Sequence, residues 1–348
     1  MTTNKKTSTS KKTKNVDRKN LHHTSIDVAK LAGVSQATVS RAFNPASRVS
    51  PDTRKKVLDA AVELNYSPDA IAKSLISNST NIVAVIMHNP TNPFYAELLT
   101  KLSRILYNQN KQILYFYLDN LASLNDLIHR VLQYRVDGII ITSATLAENL
   151  SKLCNNFGVP VILFNRLSDD SHVKSVCCDN FQAGKDCADY FCMKGYKNFA
   201  FIGGSDEVST SRERKRGFLS RLKERGIKNV VSYETNFTYA GAQEAFKKLM
   251  KESSYVPDAV FCVSDLTCAG VMDCARYHFN INVPKDMACI GFDDIDLASY
   301  SSYNITSFVQ PMDDMVNQIC DYILNPDDAC KEIPIKFFPC KLISRGTA

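Results

Sequence analysis

From residue 82 onward the chain alternates short apolar runs with amphipathic stretches, and this alternation restricts the fold more than any other feature. Apolar runs over 82–87, 113–118, 138–141 and 159–164 are each about one strand long. Between them, 95–108, 125–134 and 146–156 carry apolar residues at helical spacing. Strands that are apolar throughout and separated by helices form parallel sheets covered on both faces. A second series follows residue 179, with helices expected over 183–193, 213–225, 241–251 and 267–278. Strands are expected over 198–202, near Val230, and over 259–263 and 287–290. Two series predict two α/β lobes. Residues 306–311 should cross to the first lobe, 312–324 should add a helix there, and 333–342 should add a strand back in the second. Lobe 1 is therefore expected over about 81–178 and 309–330, and lobe 2 over about 179–308 and 331–348.

In open α/β sheets, ligands sit beyond the carboxyl ends of the strands, which here means the cleft between the lobes. The residues suited to it stand at strand ends. Phe94 lies in Asn92-Pro93-Phe94-Tyr95, Asn165 and Arg166 follow Phe164, and Ser264 and Asp265 follow Val263. Arg214 belongs to the basic cluster 212–216, and Asp293 follows Ile290-Gly291-Phe292.

The first eighty residues follow a different pattern. Thr24 with Asp27 three positions later is a helix start, and Gly33 ends that helix. Ser35 can cap a second helix, 36–43, only a few residues on, which is the tight turn of a helix-turn-helix. With Val39 facing inward, Gln36, Ala37, Ser40 and Arg41 span about 140° of the surface of that helix. Gln can pair with adenine, Arg with guanine, and Ala can touch a thymine methyl, so this face has the chemistry of major-groove readout. Thr24 and Ser35, at the two helix starts, join the DNA-facing set. Ser50-Pro51 then opens a third helix with Val57, Ala60, Ala61 and Leu64 on one side, and Ser67-Pro68 opens another stretch over 69–76. That stretch is too short to hold a helix alone in water. The resulting division is a basic leader (1–23), a DNA-binding domain (24–66), a hinge helix and linker (67–80) and a two-lobed core (81–348).

Charge agrees with this division. The first 23 residues carry seven basic side chains against Asp17, in a chain whose formal net charge is +6, as expected if that end meets a polyanion. No apolar run approaches the ~20 residues that cross a bilayer, and the polar leader has no signal-peptide core, so a cytoplasmic protein is expected. All twelve cysteines lie from Cys154 onward without C-x2-C pairs, which points to buried free thiols and to no metal or cofactor.

The run TSIDVAKLAGVSQATVSR over 24–41, followed by VSPDTR (49–54), LNYSP (64–68) and AKSL (72–75), resembles the lactose repressor (LacI/GalR) family, and with the core the resemblance covers about 24–348. It implies a helix-turn-helix domain joined to a core like a periplasmic binding protein, and a repressor that binds a pseudo-palindromic operator as a dimer under a small-molecule effector. Leu75 takes the place of the leucine that wedges into the minor groove, and Lys73 stands where the family usually has Arg. In the cleft, the resemblance has Phe94 stacking on the effector, Arg214 donating a forked pair of hydrogen bonds and Asp293 accepting from hydroxyls or ring nitrogens. Ser264 replaces the usual Asn, and Phe237 stands one residue out of the usual aromatic register. The implied effector is a sugar or sugar phosphate, with a nucleobase or nucleoside as the alternative. No further oligomerisation helix follows Ser344-Arg345-Gly346, which favours a dimer over a tetramer. A solute-binding protein without a regulatory role would share the clamshell but lack the helix-turn-helix. An enzyme would need a catalytic constellation, and the sequence has no GxSxG, HExxH or P-loop.

Overall fold

The computed structural model describes residues 23–44, 47–68, 79–88, 92–119, 123–142, 148–168, 170, 172–326 and 333–348. The chain separates into two compact units, Met1–Asn78 and Ser79–Ala348. In the first, α1 (Ser25–Ala32), α2 (Gln36–Ala42) and α3 (Pro51–Glu63) bury Val28, Ala29, Val39, Ala42, Val57, Ala60 and Ala61 against one another. Each helix starts on a side-chain cap. Thr24 and Asp27 form a capping box, Ser35 accepts from the Thr38 N–H, and Ser50 accepts from the Thr53 N–H ahead of Pro51. Gly33, at φ 67°, gives α1 a left-handed end that turns the chain at once into α2.

The second unit begins with β1 (Ile82–Met87), α4 (Pro93–Asn108), β2 (Gln112–Tyr117), α5 (Leu124–Gln133), β3 (Gly138–Ile141), α6 (Glu148–Asn156), β4 (Val161–Phe164) and β5 (Val173–Cys178). Next come α7 (Asn180–Met193), β6 (Phe199–Gly203), α8 (Ser209–Glu224), β7 (Val230–Glu234), α9 (Tyr239–Glu252), β8 (Ala259–Cys262), α10 (Asp265–Phe279) and β9 (Ala288–Asp293). The chain finishes with α11 (Asp296–Ser299), β10 (Thr306–Val309), α12 (Met312–Leu324), β11 (Ile335–Phe338) and β12 (Lys341–Ile343). Two sheets result, in the orders β11-β5-β4-β3-β1-β2 and β12-β10-β9-β8-β6-β7. All their pairings are parallel except β10 with β12. Both sheets place their first strand beside the second and third, which is the doubly wound order that puts a crevice at the carboxyl ends.

Three details differ from the sequence expectation. Strand β5 was not anticipated, because Lys174 and Ser175 interrupt its apolar run. The single strand expected over 333–342 in the second lobe is two strands in different lobes. Residues 335–338 add to β5, and 341–343 turn back antiparallel onto β10. Pro339, which has no N–H to offer a ladder, stands at the break. Residues 306–309, expected to cross, first pair with β9 in the second sheet. The chain therefore passes between lobes after Cys178, at Gln310-Pro311 and at Pro339-Cys340.

In the second lobe, α7 and α8 approach to backbone contact. A Cβ added at Gly217 would overlap the Phe181 carbonyl, and one at Gly184 would overlap the Arg214 carbonyl, so this crossing needs glycine on both helices. The packing fixes where α8 points its remaining side chains.

Candidate DNA-reading helix and interlobe site

In the first unit, Val39 is buried while Ser35, Gln36, Ala37, Ser40 and Arg41 are exposed. The face of α2 picked out by spacing is thus the solvent face. Gln36 Nε2 donates to Ser25 Oγ at 2.9 Å, and Arg41 makes only long contacts with Ala37 O (3.3 Å) and Thr38 Oγ1 (3.4 Å). Its guanidinium remains open to a stronger acceptor. Thr24 is exposed but engaged, since its N–H and hydroxyl both donate to Asp27 Oδ2 at 2.8 Å. These bonds hold the Asp27 carboxyl below its ordinary range. Lys73 and Leu75 lie outside the described residues, as does most of the basic leader.

Sequence reasoning missed Arg54. Its guanidinium donates to the carbonyls of Ala42, Asn44 (3.1 Å) and Ser47 (3.0 Å), fastening the segment after α2 to α3 and so fixing the tilt of the reading helix. An Arg in the first turn of a helix gives no periodicity signal that separates it from a solvated charge.

In the second unit, the strand ends carry one continuous polar chain. Asn165, just after β4 in the first lobe, donates through Nδ2 to Gln310 Oε1 at 2.7 Å. Gln310 Nε2 donates to Asp293 Oδ1 at 2.7 Å, at the end of β9 in the second lobe. Asp293 Oδ1 lies 3.8 Å from Arg214 Nη2. Arg214 Nε donates to Asn180 Oδ1 at 2.8 Å, Nη1 donates to the Val263 carbonyl, and the guanidinium lies 3.3 Å above the Phe292 ring centroid. Arg214 stands on helix α8, inside the helix expected over 213–225 and not at a strand end as the other cleft residues do. Burial pushes the Asp293 carboxyl up to about 6, with Arg214 and Gln310 pulling the other way. The neighbouring Asp265 is raised well above the carboxylate range by burial and by Asp293, although Ser307 Oγ and the Ile295 N–H both donate to it.

The other expected cleft residues fare differently. Phe94 is 3% exposed and stacked on Phe164 in the core of the first lobe, with centroids 5.9 Å apart, so packing engages its ring. Ser264 caps α10 through the Thr267 N–H. Phe237, at φ 61°, is half-buried with its ring against Gly204. Arg166 is half-buried and donates to the Asn165 carbonyl at 2.6 Å. Beside the polar chain, a groove of about 540 Å³ separates Leu167, Ser168 and Phe337 of the first lobe from Glu207, Arg212, Glu213 and Arg216 of the second. Asn180 and Gln310 went unnoticed in the sequence because each stands at a passage between lobes, where no motif spacing marks it.

Two family profiles match the chain. That for bacterial regulatory proteins of the lacI family covers residues 25–69, and that for periplasmic binding proteins and the sugar binding domain of the LacI family covers 80–295. The chain belongs to the LacI family. Catabolite control protein A of Priestia megaterium is 36% identical to this LacI-family chain over 298 residues, 83% of the chain and 88% of that protein. The HTH-type transcriptional repressor PurR of Photobacterium profundum is 30% identical over 292 residues, 82% and 86% of the two chains. The Lac repressor dimer bound to operator and the anti-inducer ONPF superposes with a TM-score of 0.83 at 21% identity, covering 94% of this chain and 99% of that one. Like its LacI-family relatives, this chain is a DNA-binding transcriptional regulator with an effector-binding domain, and not an enzyme. Among the described residues no helix is long and apolar enough to cross a membrane, and no three His, Cys, Asp or Glu side chains converge as a metal site.

Proposed function

We propose that this chain is a cytoplasmic repressor that reads a pseudo-palindromic operator as a homodimer and changes its grip when a small molecule enters the interlobe cleft. The observation that carries the DNA half is the solvent face of α2, where Gln36, Ala37, Ser40 and Arg41 stand outward because Val39 is locked inward. Ser35 and Thr24 at the helix starts are assigned to the phosphates, where backbone and hydroxyl donors position a reading helix. Lys73 and Leu75 are assigned to the minor groove at the operator centre, and the leader to phosphate neutralisation.

For the sensor half, Arg214 and Asp293 form the recognition pair, with Asn165, Arg166, Phe237 and Ser264 at its margin and Phe94 acting through the wall beneath. A sugar or sugar phosphate fits a buried guanidinium facing a carboxylate, because vicinal hydroxyls both donate and accept. The family profile over 80–295, which names a sugar binding domain, favours the same class. Nucleobases and nucleosides form the second class, since their ring nitrogens and exocyclic groups offer a similar donor and acceptor set.

The test selects a binding site from random duplexes and compares wild type with Arg41→Ala on that site and on scrambled DNA. Loss of a bidentate base contact should cost about 1–3 kcal/mol on the selected site and much less on scrambled DNA. Equal losses on both would reduce Arg41 to a phosphate contact. A thermal-shift screen of sugars, sugar phosphates and nucleosides then tests the sensor half, since a ligand that binds the folded state raises its melting temperature.

A further inference from the structure

Gln310 occupies one of the three passages between lobes and is 4% exposed, with both ends of its amide engaged. Its Oε1 accepts from Asn165 of the first lobe and its Nε2 donates to Asp293 of the second. Turning the amide over would set Nε2 against the Asn165 amide donor and Oε1 against the Asp293 carboxylate, so only one orientation joins the lobes. Both partners sit in left-handed backbone conformations, Asn165 at φ 54° and Asp293 at φ 103°. Strand-end residues held in such conformations depend on their surroundings for support, and the Gln310 amide bonds to both side chains.

We propose that Gln310 is an interlobe latch and the positioning residue through which ligand occupancy at Asp293 is converted into lobe movement. The inference rests on the reading that the effector contacts Asp293. A ligand hydroxyl that donates to Asp293 Oδ1 competes with Gln310 Nε2 for the same oxygen. Once displaced, Gln310 no longer ties Asp293 to Asn165, and the bridge from the Leu167 N–H to Ser209 Oγ at 3.3 Å remains beside the chain passages. A ligand with differential contact to the latched and unlatched states shifts the balance between them, as population shift requires. Asn180 acts upstream by holding Arg214 Nε at 2.8 Å, so the guanidinium stays beside Asp293.

The experiment needs neither DNA nor effector. The chain contains no tryptophan, and Phe337, 51% exposed on β11, lines the groove opposite Arg212, Glu213 and Arg216 of α8. A Phe337→Trp background therefore gives the full chain a single indole whose emission and acrylamide quenching report lobe separation. Into it go Gln310→Leu, which removes both bonds at similar volume, and Gln310→Glu, which keeps the acceptor for Asn165 but sets a second carboxyl against Asp293. The groups facing that pair are Arg214 from α8, Asp265 from α10, the adjacent Asp294, and Cys340 between β11 and β12. Gln310→Leu should red-shift the indole and move the ratio of separated to latched lobes by about tenfold, the size set by one charge-assisted hydrogen bond. Gln310→Glu should match the Gln310 background near pH ~5, where the two carboxyls share a proton, and match Gln310→Leu near pH ~8, where they repel. The signal of the Phe337→Trp parent at each pH is subtracted from that of each variant. If Gln310→Leu does not fold, the pH response of Gln310→Glu decides alone.

Emission and quenching that are unchanged in Gln310→Leu, or a Gln310→Glu signal that does not vary with pH, would overturn the latch. A parent chain whose melting temperature is unmoved by any sugar, sugar phosphate or nucleoside would instead sink the effector reading and leave the fluorescence result standing.

Discussion

The acidic limb of the stability profile provides a direct test of the buried carboxyl at the end of β9. Asp293 moves from its ordinary 3.8 to about 6 in the folded chain, chiefly because burial disfavours the carboxylate more than Arg214 and Gln310 favour it. The folded state therefore holds this proton more tightly than the unfolded state does. Its contribution to stability is complete below the unfolded value near 3.8, declines as pH rises through about 6, and is gone above that. A rise from 3.8 to about 6 corresponds to about 3 kcal/mol at ~1.4 kcal/mol per pH unit. Asp293→Asn keeps the shape and the acceptor for Gln310 but cannot ionise. Relative to wild type, the variant should gain about 3 kcal/mol between pH ~4 and pH ~7. Because the Asp293 charge also helps to raise Asp265, the substitution relieves that carboxyl in the same direction. The measurement is urea unfolding of both chains across this range, following the tyrosine fluorescence and far-ultraviolet dichroism of the core transition. A stability difference that does not change with pH would refute a buried Asp293 that binds its proton more tightly when folded.

Two further outcomes follow from the packing. Gly217→Ala should lower core stability by at least ~2 kcal/mol, because the added methyl meets the Phe181 carbonyl and neither backbone can yield, despite the ~1 kcal/mol that alanine gains over glycine within a helix. A melting temperature at or above that of wild type would mean that the α7–α8 crossing is looser than described. Arg54→Met should loosen the DNA-binding unit by about 1.5–3 kcal/mol, since three carbonyls lose a charged donor while the aliphatic stem is kept. Hydrogen exchange over residues 23–68 of the full chain should then accelerate by roughly tenfold or more, with the core unit unaffected. Unaltered exchange in α2 and α3 would show that the clamp is redundant.

The sequence by itself determined whatever depends on local pattern. Thr24 with Asp27, Gly33, Ser35 and Ser50-Pro51 mark helix ends because capping and left-handed turns need those side chains within three or four residues. The inward Val39 then leaves Gln36, Ala37, Ser40 and Arg41 outward, because helical spacing assigns faces without reference to anything distant. Apolar runs separated by helices likewise implied parallel, doubly covered sheets. Tertiary structure decided what depends on residues far apart in the chain. Whether 335–338 joined the first lobe or the second rested on which sheet had an open edge beside β5, which no local pattern states. Phe94 reads as a strand-end aromatic facing a cleft, yet its ring packs on Phe164, seventy positions later. The polar chain from Asn165 through Gln310, Asp293 and Arg214 to Asn180 draws on five separate segments of the chain. Each residue alone resembles an ordinary surface polar group. Only folding buries them together, and burial is what makes their hydrogen bonds obligatory and raises Asp293.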